Sequence, residues 1–138
     1  MTEMKASVRT MAEKVADTIA TCQLERTGHA PQAVTVVLSG EMLVVTLHQA
    51  LAPAEIVMSQ TATGAAQVQE YHRQLFQSSL PALREEIRRI TGVAVREAVA
   101  EVETTTGAIV HAFSSGEMVQ IFQLAGTITL KDWNGDGA

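Results

Sequence analysis

Two short runs, "AVTVVL" at 33–38 and "MLVVTL" at 42–47, stand on either side of Ser39-Gly40-Glu41. β-branched and aliphatic residues fill both runs, and a glycine-containing turn joins them, which is the pattern of a β-hairpin. Successive strand residues face opposite ways, so Leu43, Val45 and Leu47 share one face and Met42, Val44 and Thr46 the other. Neither face is polar. Such a hairpin is not stable alone in water, so the fold must bring other elements to cover it.

The cover is legible on both sides. Over residues 2–26 the apolar positions Met4, Val8, Met11, Val15, Ile19 and Cys22 recur at three- and four-residue steps. That spacing puts them on one face of an α-helix, with Lys5, Arg9, Glu13, Lys14 and Asp17 on the other. Gly28 suits the left-handed C-cap that ends a helix, and Pro31 biases Ala30 toward extended backbone. After the hairpin, Pro53 fits the first turn of a short helix whose positive end favours Glu55, and Gly64 breaks it. A long helix then covers about 65–90, with Val68, Leu75, Phe76, Leu83, Ile87 and Ile90 on one side. Pro81 should kink or split it, and Thr91-Gly92 ends it.

The last third reads as strands. One follows Val93, Val95 and Val99; a further hairpin pairs 108–113 with 118–124. The order α-β-β-α-α-β-β-β predicts an α+β fold: an antiparallel sheet of about five strands with a long N-terminal helix and a long central helix. Residues 1–125 form a single domain, and 126–138 a Gly-rich C-terminal tail with little to bury.

Composition excludes several functions. With 46% hydrophobic and 18% charged residues, the chain is not a disordered arm, and a net charge of −5 argues against a nucleic-acid partner. Cys22 is the single cysteine, so no internal disulfide forms and a reducing compartment fits; on the apolar helical face its role is packing. The start lacks the apolar core of a signal peptide. No run approaches the ~18 apolar residues of a transmembrane helix, so a cytoplasmic protein without membrane insertion is expected.

The chain carries no strong chemical signature. His29, His48, His72 and His111 have no ligand spacing between them, so no metal site is expected. No nucleophile-base pattern stands out and no cofactor is expected, which favours a non-enzymatic role. "GHAP", residues 28–31, has one glycine and follows a helix, so it is a corner and not a phosphate loop. "DWNGDG" places Asp132, Asn134 and Asp136 at positions one, three and five of a calcium loop, a weak half-loop without the glutamate at position twelve. A solvated tail is the simpler reading.

Several short motifs occur in a telling order: G-x-x-P at Gly28 to Pro31, L-x-P-x-E at Leu51 to Glu55, Arg73 in the long helix, Thr91-Gly92, and V-x-I-F-x-L at Val119 to Leu124. Over about residues 5–125 this order resembles the MpsC family, named for a Na+-translocating membrane-potential-generating system and long catalogued as a domain of unknown function. The chain departs from the family pattern at His29 and Ala30, and its acidic residues after Thr91-Gly92 fall at Glu101 or Glu103. The resemblance implies an accessory or regulatory protein linked to Na+ translocation or inorganic-carbon handling, with a membrane transport complex as partner. It marks Gly28, His29, Pro31, Glu55 and Arg73 as candidate ligand-binding residues. The competing reading is that Glu55 caps a helix and Arg73 forms a structural ion pair. An alternative function is a small-molecule-binding sensory domain with a pocket between sheet and central helix; an enzyme built from scattered residues is a third. The two apolar sheet faces, finally, predict a homodimer that covers the second face or the stripe of the first helix.

Overall fold

Thr10 starts the first helix by a reciprocal capping box: its hydroxyl accepts from the Glu13 N–H at 3.1 Å, and the Glu13 carboxylate accepts from the Thr10 N–H at 2.9 Å. The computed structural model describes residues 9–102 and 116–135. Helix α1 runs Met11–Thr27 and ends at Gly28, whose φ of 77° is the left-handed cap expected of it.

Strands β1 (Ala33–Ser39) and β2 (Met42–His48) form the hairpin, with Val36 opposite Val45. Beyond a helical stretch, β3 (Val95–Val102) and β4 (Met118–Leu124) complete one antiparallel sheet in the order β1-β2-β4-β3. The long connection after β2 thus returns the chain so that β4 pairs beside β2 and leaves β1 and β3 as edges. The α+β class is as the sequence predicts, but the described sheet has four strands and not about five. The expected strand at 108–113 lies outside the described residues.

Between the two hairpin halves come α2 (Pro53–Met58) and α3 (Ala62–Thr91). Gly64 does not break the first of these. It sits in the opening turn of α3, where Thr61 caps its N–H at 3.0 Å. The glycine is required by close approach: a Cβ there would overlap the Met58 carbonyl. Pro81 does not split α3 either, which continues through it as one helix of 30 residues. Pro81 and Gln77, the residue whose carbonyl loses its partner to the proline, are both exposed, so water can satisfy that carbonyl.

Helices α1 and α3 pack against each other and cover one face of the sheet. Their buried side chains Val15, Ile19, Val68, Phe76, Leu83 and Ile87 meet Leu43, Val45, Leu47, Phe122 and Leu124 from β2 and β4. Phe76 and Phe122 tilt together with ring centroids 5.8 Å apart. Leu75 and Ile90, assigned to the same side of α3 from the spacing, are only half-buried. The segment after β4, expected to be solvated tail, contains a short helix α4 (Leu130–Trp133), and Ile128 and Trp133 are buried in the same cluster. Among the described residues no helix is long and apolar enough to cross a membrane.

The other sheet face is different. Val37 pairs with Val44, Val44 with Ile121, and Ile121 with Val99, so an apolar row crosses all four strands, and at its β3 end Val99 also lines the cleft beside α3. Its two ends are open, Val37 at 52% and Val99 at 57% exposure.

Candidate functional site

The sharp turn after β2 gathers His29, His48 and Glu117. Gln49 has a φ of 54°, rare for a residue with a side chain. Two groups hold it there. Its N–H donates to Glu117 Oε2 at 3.0 Å, and its carbonyl pairs with His29 Nε2 at 3.1 Å. Glu117, 6% exposed, is also bound by His48 Nδ1 at 2.7 Å, and His48 reaches Thr35 through its other nitrogen at 2.9 Å. A buried carboxylate with two partners meets the condition under which burial of a charge is tolerated.

One turn further on, Pro53 opens α2 and places Glu55 at its third position. Glu55 Oε1 accepts from the Ala52 N–H at 2.9 Å, and Oε2 faces His72 Nε2 at 2.8 Å. His72 is 1% exposed, on the apolar face of α3. Since Glu55 is the acceptor, the nitrogen facing it carries the proton, and His72 Nδ1 is left pointing into the core with no protein partner. Burial alone would raise the Glu55 carboxyl. The hydrogen bonds from His72 and from the Ala52 N–H outweigh it and hold the group below its ordinary value.

Glu55 forms part of the wall of a surface cleft of about 420 Å³, together with Thr27, Met58, Val68 and Tyr71. Met58 and Tyr71 of this wall are both exposed, and α2, which buries none of its own residues, also exposes Ile56 and Val57. The cleft therefore has an acidic group at one wall and an apolar rim.

The candidates named from the sequence separate into three places. Gly28 and Pro31 are backbone elements of the corner, where Gly28 donates to the Leu24 carbonyl at 2.8 Å. His29 from that corner and Glu55 from α2 approach closely enough for the histidine's charge to act on the carboxylate. Arg73 is not with them. As the neighbour of His72 on α3 it faces another way, binding Glu101 through Nε at 3.3 Å and Nη2 at 3.2 Å, and Glu70 at 3.2 Å. These carboxylates, Glu101 foremost, raise its guanidinium above the ordinary value. It borders a second cleft, about 650 Å³, between α3 and β3.

Asp132 lies in the first turn of α4 and Asn134 caps its end, so this stretch is helical where a calcium loop would be open; Asp136 lies outside the described residues. Among the described residues no group of three or more His, Cys, Asp or Glu side chains is arranged to hold a metal ion. Sequence reasoning missed His72, Glu117 and His48 as members of a site. His72 had a readable signal, a titratable residue four positions after Val68 and four before Phe76 on an otherwise apolar face. Glu117 had none.

The family model described as the Na+-translocating membrane potential-generating system (MpsC) matches residues 7–116. The resemblance carried by the motif order is therefore borne out. No curated protein and no solved structure matches the chain.

Proposed function

Because the chain belongs to the MpsC family, we propose that it is a non-enzymatic, cytoplasmic accessory protein of a Na+-translocating, membrane-potential-generating system. The family match is the observation that carries this reading. The chemistry of the polar groups supports the non-enzymatic part. Both oxygens of Glu55 are engaged, Glu117 is bound at both oxygens, and Arg73 is tied to two carboxylates. Groups saturated in this way position α2, the β2 turn and α3; a general acid or base has to have an oxygen or nitrogen free for substrate.

In this role the cleft beside Glu55 is where the protein meets the translocating complex, with the exposed Met58 and Tyr71 of its wall as apolar anchors. The test is sedimentation of the purified protein with membrane vesicles that do or do not contain the translocating complex. Binding only to vesicles with the complex, abolished by Met58→Asp, is the expected result. Equal binding to both kinds of vesicle, or none to either, would refute the role.

The homodimer belongs to the same proposal, through the sheet face that the described helices do not cover. Four strands ~4.8 Å apart and about seven residues long present roughly 400 Å² in projection. Side-chain relief enlarges that toward the roughly 1,000 Å² in total that a specific interface buries. A second copy fits because the row Val37, Val44, Ile121 and Val99 is apolar throughout and complementary to itself under a two-fold axis.

One observation favours a second reading, a small-molecule sensor. The cleft between α3 and β3 lies between sheet and central helix, with the Arg73 guanidinium at its side. An anionic ligand there has to displace Glu70 or Glu101, so a rise in melting temperature on binding should be enhanced in Glu101→Gln.

A further inference from the structure

Among the described residues, three buried side-chain atoms lack a hydrogen-bond partner: Gln23 Nε2, His72 Nδ1 and Gln120 Oε1. They come from α1, α3 and β4, elements far apart in the chain. All three residues line the same small cavity, walled also by Ile19, Phe76 and Met118 and leaving about 10 Å³ of room for the centre of a water molecule. Their exposures are 8%, 1% and 3%, so bulk solvent does not satisfy them. Leaving a buried donor or acceptor unsatisfied costs its full desolvation penalty, and buried polar groups in folded proteins are almost always paired.

We propose that this cavity is a binding site for a single water molecule held by Gln23, His72 and Gln120. The size fits, since about 10–15 Å³ of such space is what one water needs. The donor and acceptor set fits as well. Gln23 Nε2 can only donate, and Gln120 Oε1 can only accept. His72 donates to Glu55 through Nε2 and so offers a lone pair at Nδ1. A water accepts one hydrogen bond from Gln23 and gives one each to His72 and Gln120, three bonds in all, the usual number for a buried water.

The same set discriminates against a cation. Sodium and ammonium have nothing to accept from Gln23 Nε2, and the Arg26 side chain that also lines the cavity adds repulsion. The bound water completes a chain of hydrogen bonds from β4 and α1 through His72 to Glu55 and the surface cleft. It thereby fixes which nitrogen of His72 bears the proton.

Nuclear magnetic resonance on the intact protein tests the site. The expected result has two parts: a water resident for much longer than the tumbling time of the protein, with cross-relaxation to His72, and ¹⁵N shifts placing the proton of His72 on Nε2 with Nδ1 as an acceptor. Gln120→Leu should remove the long-lived water and move the Nδ1 shift, while Gln120→Glu, which keeps an acceptor at the same place, should retain the water. Should Gln120→Leu fail to fold, the wild-type measurement alone decides. Absence of a long-lived water in the wild type would overturn the proposal. Saturable shifts of the His72 resonances on titration with sodium or ammonium chloride, absent with a large organic cation, would also overturn it, in favour of a cation site.

Discussion

Glu55 shows how one residue can be half-read from sequence. Its place two residues after a proline marks it as a helix-start carboxylate, and it does accept the Ala52 N–H. Its second oxygen goes to His72, 17 residues later, and no local pattern shows that pairing. Because the folded-state carboxyl lies below its ordinary value of 4.5, the sign of the linkage follows. Its contribution to stability is fully present above about that value and is lost as pH falls through the lower, folded-state value. Glu55→Gln should therefore cost about 1.5–3 kcal/mol at neutral pH, the range for a hydrogen bond to a charged group. In urea melts across pH 7 to 3, taken as roughly the span over which carboxylates titrate, the variant should also lose less stability than the wild type on acidification. Parallel pH curves for the two proteins would mean that Glu55 contributes no charge-dependent stability.

At the scale of elements, periodicity was sufficient for α1, the first hairpin and the body of α3, because each buries one regular stripe. It failed where a glycine or a proline has a tertiary reason. Gly64 reads as a breaker, yet its place in α3 is set by the Met58 carbonyl lying where a Cβ would be. Exposed Gly→Ala changes inside helices usually stabilise by ~1 kcal/mol; here Gly64→Ala should destabilise, and a melting temperature above wild type would show that the α2–α3 corner yields. The end of the chain was misread for a related reason. "TITLKDWNG" is short and polar enough to pass for a tail, and only the packing of Ile128 and Trp133 against the core identifies it as an element. Trp133→Ala should cost about 3–5 kcal/mol, as for other buried aromatic truncations, measurable by denaturant unfolding; a loss below ~1 kcal/mol would place the indole outside the core.

At the scale of the molecule, the sequence predicts a sheet with two apolar faces, and among the described residues α1 and α3 cover one of them. The four-strand row from Val37 to Val99 should be covered by a second copy, so light scattering at low micromolar concentration should give twice the 14.8 kDa chain mass. Val37→Glu combined with Val99→Glu should return the monomer mass without unfolding, since both positions are more than half exposed. A wild-type monomer would contradict the interface. What sequence could not reveal at this scale is the polar assembly joining α1, α2, α3 and β4, since its members span residues 23 to 120 and meet only when the sheet order β1-β2-β4-β3 is built. Service to a Na+-translocating system should show in the Na+-dependent part of the membrane potential. A potential-sensitive dye would be read in cells lacking the protein, with and without its restoration, in sodium and in potassium medium. The sodium-dependent component should fall in its absence and return with the wild-type protein but not with Met58→Asp; an unchanged sodium-dependent potential in cells lacking the protein would rule this role out.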